Sequence, residues 1–356
     1  MEKSTDHTPI TTHLLNWYKE HKRLLPWRET SDAYSIWISE VILQQTRIAQ
    51  GEDYFLRFME RFPNVQMLAE AEEEEVLKLW QGLGYYSRAR NMHAAAKQIV
   101  GQFGGTFPKA YSDIRSLKGV GEYTAAAISS IAFNEPRAVV DGNVQRVIAR
   151  LFAIESSIHT SAGKKSIAEI AQSLIAEESP GSYNQALMDF GSMVCSPTQP
   201  SCTDCLLQGY CAAYAENRVL DFPVNNRKVT IKKRYFNYFH IVQGNSTFLQ
   251  KRVRSDIWKN LYEFPLIETL SAIDFTQLEQ TIEFSDLFSG IPSLTIDHLL
   301  TLKHQLTHQV IHTNFYRVII PGDYLFTSPL NVIKIDKEQL SNYPVSRLTD
   351  KYIAII

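Results

Sequence analysis

The order of apolar and polar positions divides the chain into a helical first half and a mixed second half. From about residue 8 to residue 150, apolar residues recur at helical spacing, and Pro and Gly interrupt them. This spacing predicts helices within residues 34–58, 88–100, 123–132 and 144–152. Because these helices are short and joined by short loops, we expect them to form a compact bundle.

A different pattern follows the helical half. Residues 220–234 contain Asp-Phe-Pro, Asn-Asn and several basic residues without an apolar period, as is typical of a linker. Residues 235–242 are aromatic and β-branched, and Gly244-Asn245 favours a turn into a partner strand. With another strand predicted at 309–320, we expect the second domain to be α+β.

These patterns predict a helical domain at residues 1–216, a linker at 217–233 and an α+β domain at 234–356. A chain of 356 residues, of which 44% are hydrophobic, is long enough for two domains that each bury a core. The acidic run at residues 72–75 predicts the charged first turn of a helix, and we expect this turn to face solvent.

Charge and hydropathy exclude several protein classes. A net charge of -2 excludes a generally cationic protein, so nucleic-acid contacts would depend on local patches and backbone N–H groups. The N-terminus lacks a signal-like apolar stretch, and no uncharged run is long enough to cross a bilayer. We therefore expect a soluble intracellular protein without membrane contacts, monomeric and cytoplasmic, and nucleoid-associated if bacterial.

All four cysteines lie in one short segment, with the spacing Cys195-x6-Cys202-x2-Cys205-x5-Cys211. A disulfide framework would usually join distant parts of a chain, so this clustering indicates a metal. Four thiolates on one compact loop suit a [4Fe-4S] cluster. Structural zinc is the alternative, although zinc ribbons usually present two close Cys pairs and here only one pair is close.

Two glycines precede the predicted helix at 123–132. The two glycines lie in the string Leu117-Lys118-Gly119-Val120-Gly121 and give the backbone conformational freedom just before a helix N-terminus. At such a position, several N–H groups can point at one phosphate. An ordinary turn between helices explains the same glycines equally well.

Glu40 is the only charged residue between Ala33 and Thr46 on an otherwise apolar predicted helix. Burial disfavours the carboxylate and raises its pKa, which suits a general acid near neutral pH. A position on the one polar edge of the helix is equally consistent with the pattern.

Asp141 follows an apolar run and precedes Gly142-Asn143, so by itself it could simply cap the next helix. Capping and a catalytic role do not exclude each other.

Several of these segments resemble the endonuclease III and MutY branch of the helix-hairpin-helix DNA glycosylases. The cysteines follow the 6-2-5 spacing of that branch, residues 117–125 resemble its hairpin, and Asp141 stands at the position of its catalytic aspartate. Residues 39–46, Ser-Glu-Val-Ile-Leu-Gln-Gln-Thr, closely match the MutY motif whose glutamate protonates adenine at N7. The resemblance implies a mainly α N-terminal domain with an iron-sulfur loop and an α+β, Nudix-like C-terminal domain.

The same resemblance implies roles for individual residues. Gly119 and Gly121 would hold a DNA phosphate, and the four cysteines would hold a cluster that organises a DNA-contacting loop without taking part in the chemical step. Tyr123 occupies the hairpin position at which endonuclease III relatives carry their nucleophilic lysine, so no Schiff base can form there. Tyr123 and Asn143 are expected near the sugar in supporting roles.

Further segments resemble MutY motifs that contact the bases. Residues 80–91 resemble a segment in which the first tyrosine, here Tyr85, inserts beside 8-oxoguanine, although Tyr85 and Tyr86 could instead pack between helices. Leu-Pro-Trp-Arg at residues 25–28 matches a motif near the adenine pocket, which makes Arg28 and then Gln45 candidates for contacts with the flipped base.

In the second domain, residues 254–265 resemble the MutY lesion-recognition domain, a relative of the Nudix hydrolases, without a Nudix catalytic box after them. Family members place a Phe-Ser-His loop against 8-oxoguanine, and the aligned residues here are Leu306-Thr307-His308. Thr307 keeps a hydroxyl donor, whereas Leu306 gives up an aromatic contact. The resemblance in this domain is looser and ends near residue 315.

Together these features predict a monofunctional glycosylase that removes adenine mispaired with 8-oxoguanine or guanine in double-stranded DNA. An endonuclease III-like pyrimidine glycosylase is the nearest alternative, but Tyr123, Glu40 and the extra domain argue against it. A non-catalytic iron-sulfur DNA-binding protein is a second, which the intact Glu40 and Asp141 argue against. A Nudix pyrophosphatase is a third, but it lacks its metal-binding box.

Overall fold

The computed structural model describes residues 8–226, 230–291, 293–322, 324–326 and 331–356. By its contacts the chain forms two compact units, each built from two stretches of sequence. The first unit comprises Met1–Glu70 and Asn91–Arg227, and the second comprises Ala71–Arg90 and Lys228–Ile356. Residues 71–90 therefore group with the C-terminal part of the chain.

The first half of the chain is helical, as its apolar spacing predicts. Its helices are α1 (Thr8–His21), α2 (Ala33–Leu43), α3 (Ile48–Arg61), α4 (Val65–Glu70), α5 (Glu73–Leu79), α6 (Ser87–Phe103), α7 (Tyr111–Ser116), α8 (Glu122–Phe133), α9 (Gly142–Leu151), α10 (Ser161–Ser173), α11 (Pro180–Met193) and α12 (Ala212–Ala215).

The predicted helical segment 34–58 is interrupted after α2. The chain leaves the helix at Gln44, and Gln45 adopts a left-handed conformation with a φ of 59° that a helix cannot continue through. The next helix begins only at Ile48. The interruption matters for the site, because it turns Gln44, Gln45 and Thr46 toward the pocket described below.

One hydrophobic core of the first unit lies among α1, α9, α10 and α11. Leu14, Val147, Ala171, Tyr183 and Phe190 are all buried in it. Burying each large apolar side chain stabilises the fold by roughly 1.5–3 kcal/mol relative to an exposed position. This core holds α9 and α11, and both helices supply residues to the candidate site.

The second unit contains a mixed seven-stranded sheet in the order β3-β2-β1-β6-β5, with β4 paired to β1 and β7 paired to β2. The strands are β1 (Lys232–Gln243), β2 (Ser246–Lys251), β3 (Tyr262–Glu263), β4 (Leu266–Thr269), β5 (Thr295–Gln305), β6 (Gln309–Ile319) and β7 (Val332–Asp336). Helices α13 (Phe275–Glu279), α14 (Ile282–Phe288) and α15 (Arg347–Ile353) complete the unit.

Strands β1 and β6 form the centre of this sheet and run parallel in a register that pairs Phe239 with Tyr316 and Ile241 with Val318. These four side chains pack with α13 and α14 in one hydrophobic core. Successive strand residues point to opposite faces, so the residues between them lie on the other face of the sheet. That second face carries His240 and Arg317, which become relevant below.

The acidic helix α5 does not face solvent throughout, so the prediction of a solvated acidic turn is wrong for part of it. The Glu74 carboxylate accepts hydrogen bonds of 2.7 Å from both Lys251 Nζ and Tyr262 Oη. Glu73 accepts another from Asn260. All of these residues belong to the second unit, where the hydrogen bond from Lys251 lowers the pKa of Glu74. These strand and loop partners are far away in sequence, which is why local pattern did not predict them.

Across the described part of the chain, we find no helix that is both long and apolar enough to cross a membrane.

Candidate active site

One pocket of the first unit brings together most of the residues that the sequence predicts for catalysis and base contact. It has a volume of about 680 Å³ and lies among α2, α8, α9 and α11. The predicted residues that line it are Arg28, Glu40, Gln45, Tyr123, Asp141 and Asn143. They come from stretches of sequence more than a hundred residues apart, and the helical packing alone makes them neighbours.

Glu40 lies on the last turns of α2 with only 9% of its surface exposed. Its carboxylate oxygen Oε2 accepts a hydrogen bond of 2.7 Å from the Tyr123 hydroxyl. Burial raises the pKa of Glu40, the Tyr123 hydrogen bond opposes this rise, and the negative charge of Asp141 adds to it. The net effect shifts the pKa of Glu40 upward, which is the direction that a general acid near neutral pH requires.

Tyr123 begins the hairpin helix α8 and points from it into the pocket. Burial, and then the charge of Glu40, raise the pKa of its phenol well above the ordinary value. The hydroxyl therefore stays protonated and donates to Glu40 across the physiological range of pH. Its neighbour on the other side is the Met188 sulfur, at 3.6 Å.

Asp141 both caps α9 and lines the pocket, so the predicted cap is confirmed, whereas the catalytic role of this residue stays a prediction. One carboxylate oxygen accepts from the Val144 N–H at 2.7 Å, and the other accepts from Asn143 Nδ2 at 2.8 Å. Burial raises the pKa of Asp141, although both hydrogen bonds favour its charged form. The cap fixes the direction of the carboxylate, because both oxygens are held from the helix N-terminus.

Arg146, which the sequence did not single out, connects this turn to the cysteine loop. Its Nη2 donates to Asn143 Oδ1 at 2.9 Å and to the Gly191 carbonyl at 2.6 Å, while Nε donates to the Cys195 carbonyl at 2.8 Å. A side chain at Gly191 would come within 2.8 Å of Asn143 Cβ, so the close approach of α11 to this turn requires glycine.

Arg28 lines the pocket but is engaged by a residue that the sequence did not predict. Its guanidinium makes a two-pronged contact with the Asp189 carboxylate, at 2.7 and 2.9 Å, and Arg23 contacts the same carboxylate. Burial alone would raise the pKa of Asp189, but hydrogen bonds from the two arginines hold it below its ordinary value. A lone charge among Leu187, Met188 and Phe190 was the available signal.

Gln45 is exposed at the rim of the pocket, where it has the left-handed backbone noted above. Its neighbour Gln44 is the one that bonds within the fold, through Nε2 to the Thr124 hydroxyl at 3.2 Å. Gln45 thus lies where a bound molecule would enter the pocket, and its contact with a flipped base stays a prediction.

The hairpin glycines connect α7 to α8. Gly119 has a φ of +77°, and a Cβ there would lie 2.5 Å from Asn91 Cβ, so this position requires glycine. Gly121 is exposed and has open space around it. The Lys118 and Val120 amides donate to Gln98 and Leu117 within the unit, so phosphate binding would depend on the other amides of the turn and on α8.

The four cysteines line a single cavity of the first unit, between α9, α11 and α12. All four are free thiols and partly buried. Burial raises the pKa of Cys205 to about 11, and the three other thiols add to this rise. Within the described residues, no three His, Cys, Asp or Glu side chains converge closely enough to form a metal site.

Arg150 of α9 is a buried residue that contacts the cysteine loop. It is 2% exposed, and its guanidinium donates to the carbonyls of Ser196, Pro197 and Phe222 and, at 3.3 Å, to Cys195 Sγ. A buried cation beside thiols favours their ionised form. The spacing of the cysteines and the nearby Arg150 are consistent with a thiolate-bound group, but the described thiols do not themselves converge into a metal-ligand group, so the cluster stays a prediction.

A separate pocket of about 420 Å³ lies within the second unit, and the predicted lesion-contacting residues Tyr85, Leu306, Thr307 and His308 line it. The Tyr85 hydroxyl is hydrogen-bonded to the Thr307 hydroxyl. Tyr85 is 47% exposed and has a left-handed backbone with a φ of 47°, which is uncommon for a bulky residue. The pocket thus joins two motifs that lie 222 residues apart in sequence.

The next residue, Tyr86, packs in the interior, which was the alternative interpretation of Tyr85 and Tyr86. It is 4% exposed, and its hydroxyl accepts from the Gly82 N–H and donates to the Val345 carbonyl. The neighbouring histidines also differ from one another: His304 lies beside the Trp258 ring at this pocket, whereas His312 stacks on Tyr235.

Comparison with known proteins agrees with both halves of the chain. Residues 38–177 match the model of the HhH-GPD superfamily of base excision DNA repair proteins, and residues 237–354 match the NUDIX domain. The second match extends to residue 354, well beyond the point at which the resemblance to MutY ended in the sequence. Neither match fixes the domain boundaries, which stay a prediction.

A solved thermostable thymine-DNA glycosylase is similar to this chain with a TM-score of 0.56 and 28% identity, over 59% of this chain and 97% of that one. A non-covalent endonuclease III–DNA complex matches with a TM-score of 0.51 and 21% identity, over 59% of this chain and 97% of that one, which shows the shared fold. Fold, hairpin and two-carboxyl pocket together define the helix-hairpin-helix class of base-excision DNA glycosylases.

Relatives that match most of the chain identify the family within this class. The adenine DNA glycosylase of Mus musculus is 44% identical over 97% of this chain and 77% of its own length. That of Buchnera aphidicola subsp. Acyrthosiphon pisum is 32% identical over 86% of both chains. This chain belongs to the adenine DNA glycosylase family.

The hydrogen bond between Tyr123 and Glu40 leads to a prediction about protonation. Tyr123→Phe removes the donor that stabilises the Glu40 carboxylate, so the pKa of Glu40 should rise further above its ordinary value. Carbon-13 NMR of labelled glutamate side chains, recorded through a pH titration, measures this shift directly.

Tyr34→Phe is the matched control, because the Tyr34 hydroxyl donates to the Phe62 carbonyl and not to Glu40. The titration of Glu40 in this variant should follow that of the parent chain. An unchanged or lowered Glu40 pKa in Tyr123→Phe would show that the phenol does not stabilise the carboxylate.

Proposed function

We propose that this protein is a monofunctional DNA glycosylase that hydrolyses the N-glycosidic bond of adenine mispaired with 8-oxoguanine or guanine. The observation that carries the proposal is the meeting of Glu40, Tyr123 and Asp141 in one pocket of a chain from the adenine DNA glycosylase family. The pocket has room for a nucleobase with its sugar, and a base must leave the duplex to reach it.

The two carboxyl groups divide the chemistry between them. Glu40, whose pKa is raised, gives its proton to N7 of adenine, so the electrons of the breaking C1′–N9 bond pass to a neutral leaving base. The Asp141 carboxylate faces the electron-poor sugar and stabilises its positive charge. A water then adds to C1′, and the Glu40 carboxylate takes the proton of that water, which restores the acid.

Supporting residues keep the two carboxyl groups in place during this cycle. Tyr123 holds Glu40 through its hydroxyl, and Asn143 holds Asp141 through its amide. Arg28, neutralised by Asp189, supplies polar N–H groups at the pocket wall without the full charge of a free arginine. Gln45 is a second polar contact for the base at the rim.

Tyr123 also limits the reaction to hydrolysis. A phenol with a strongly raised pKa is a poor nucleophile and cannot form a Schiff base with the sugar. No lysine lines the pocket among the described residues. The product should therefore be an intact strand with an abasic site.

Recognition of the opposite base is proposed for the pocket that contains Tyr85 and Thr307. Tyr85 is exposed and aromatic, as a residue that stacks against or between bases must be. The Thr307 hydroxyl and the exposed His308 beside it offer hydrogen bonds to a base edge. These groups suit 8-oxoguanine, which differs from guanine in its hydrogen-bonding pattern at N7 and C8.

We further propose that Cys195, Cys202, Cys205 and Cys211 hold a [4Fe-4S] cluster. The single cavity, the spacing of the four thiols and the buried Arg150 beside them support this assignment. When bound, the cluster would cross-link the loop, and it takes no part in cleavage of the glycosidic bond. The domain boundaries predicted from sequence and a monomeric state complete the proposal.

The function is tested by single-turnover excision on duplexes with adenine opposite 8-oxoguanine, adenine opposite guanine, or thymine glycol. We expect adenine loss from the first two, with strand breakage only after alkali. Glu40→Gln should slow excision by about 10²–10⁴-fold, the usual contribution of a general acid, while duplex binding persists. The exposed Glu60→Gln in the same unit is the control. Excision at the parent rate by Glu40→Gln would contradict the mechanism, and cutting of thymine glycol without alkali would contradict the proposed substrate.

The lesion contact is tested at Thr307. Thr307→Val keeps the shape of the side chain but removes the hydroxyl that meets Tyr85, whereas Thr307→Ser keeps the hydroxyl. Loss of one such hydrogen bond should reduce the preference for 8-oxoguanine over guanine by about three- to tenfold. Excision opposite guanine should change little, and Thr307→Ser should resemble the parent. Equal loss on both duplexes would place the effect outside lesion recognition.

The cofactor is tested by iron, zinc and acid-labile sulfide analysis of protein made in iron-rich medium. We expect iron and sulfide in equal amounts, and a lower content of both in Cys202→Ser, because one ligand is lost. Zinc without sulfide would instead identify a structural zinc site. Thermal unfolding of the same samples shows how far the bound group stabilises the loop.

A further inference from the structure

One cavity of the second unit takes no part in the proposed function. It has a volume of about 710 Å³ and lies on the face of the sheet opposite the α13–α14 core. Strands β1, β5 and β6 form its floor, and α15 and the turn at residues 337–342 close its side. Neither the catalytic pocket nor the Tyr85–Thr307 pocket shares a residue with it.

Strand register explains how this cavity forms. Parallel pairing sets His240 beside Arg317 and Val242 beside Ile319, near the carboxyl ends of β1 and β6. The register of β5 against β6 shifts between His298 and Leu300, so Leu299 is an extra residue of β5, and both Leu299 and Leu300 line the cavity. Clefts at the carboxyl ends of parallel strands are common ligand sites in open sheets.

At the floor of the cavity lies a buried group with unused hydrogen-bonding capacity. His240 is 5% exposed, and its Nδ1 lies 3.1 Å from the Tyr352 hydroxyl. Its Nε2 is buried and makes no hydrogen bond with any described residue. Such an unsatisfied buried nitrogen destabilises the fold, and a hydrogen bond with a ligand atom would remove that cost.

The charges around the cavity favour an anion. Arg317 and Lys337 line it, and Glu338 is the one acidic side chain among its lining residues. Arg317 also contacts Asp297 in an exposed pair, which contributes little and does not fix the guanidinium. Burial and these two cations lower the pKa of His240 to about 4, so the imidazole is neutral near pH 7.

The remaining wall is apolar. Leu300, Ile319, Leu340 and Ile353 line the cavity between the charged side and the imidazole. Apolar walls with a few convergent polar groups are typical of sites that bind small organic molecules.

We propose that this cavity is a second ligand site, independent of glycosylase activity, that binds a small organic anion with a flat apolar body. The anionic group pairs with Lys337 and Arg317, the body packs against Ile319, Leu340 and Ile353, and a polar atom bonds to His240 Nε2.

The test uses 1-naphthoate and its uncharged isostere 1-naphthamide as probes of the full chain. Calorimetric titration should detect 1-naphthoate binding and at least about tenfold weaker binding of the amide, since one charge-assisted hydrogen bond is worth this much. NMR of nitrogen-15-labelled histidine should show the His240 signals shifting on addition of 1-naphthoate.

Three variants localise the binding. Lys337→Met should weaken 1-naphthoate about tenfold, whereas Lys351→Met, an exposed lysine of α15 outside the cavity, should not. Ile353→Trp fills the cavity without changing its charge and should abolish binding. An absence of binding, equal binding of the acid and the amide, or unmoved His240 signals would each overturn the proposal.

Discussion

The cost of burying carboxyl groups in a helical bundle shapes the first unit of this protein. Glu40, Asp141 and Asp189 all lie among apolar side chains, where an unpartnered charge costs several kcal/mol. Each carboxyl is partnered differently: by a phenol, by a helix N-terminus, or by two arginines. The partners decide the direction in which each pKa shifts. At Glu40 and Asp141 the effect of burial is the larger one, so the pKa is raised. At Asp189 the effect of the two arginines is the larger one, so the pKa is lowered.

These different partners explain how carboxyl groups in one pocket can have different roles. A carboxyl held by one neutral donor can exchange its proton near neutral pH, as acid–base chemistry requires. A carboxylate held by two cations stays ionised and serves as a structural anchor for Arg28. Arg146 connects the Asp141–Asn143 turn to the cysteine loop. Three hydrogen bonds lead from the Cys195 carbonyl through Arg146 and Asn143 to Asp141, so the order of that loop bears on the placement of Asp141.

Sequence predicted what depends on local pattern. The helical half, the strands β1 and β6 and the cap at Asp141 follow from periodicity and composition, whereas the pattern left the burial of Glu40 open. Asp189 and Arg146 were missed because their importance arises from partners on other helices. Resemblance named Tyr85 and Thr307 separately, but only the folded chain pairs their hydroxyl groups. The partners of Glu73 and Glu74 were missed for the same reason.

The second unit is discontinuous in sequence, and this limits how the protein can be divided. Residues 71–90 leave the helical half, complete the sheet-containing unit and return within α6. A fragment that ended at the linker would keep these residues but would lose the strand partners of Glu74 and the carbonyl that accepts from Tyr86. The two halves are therefore not exchangeable modules, and recombination at the linker would separate side chains that fold together.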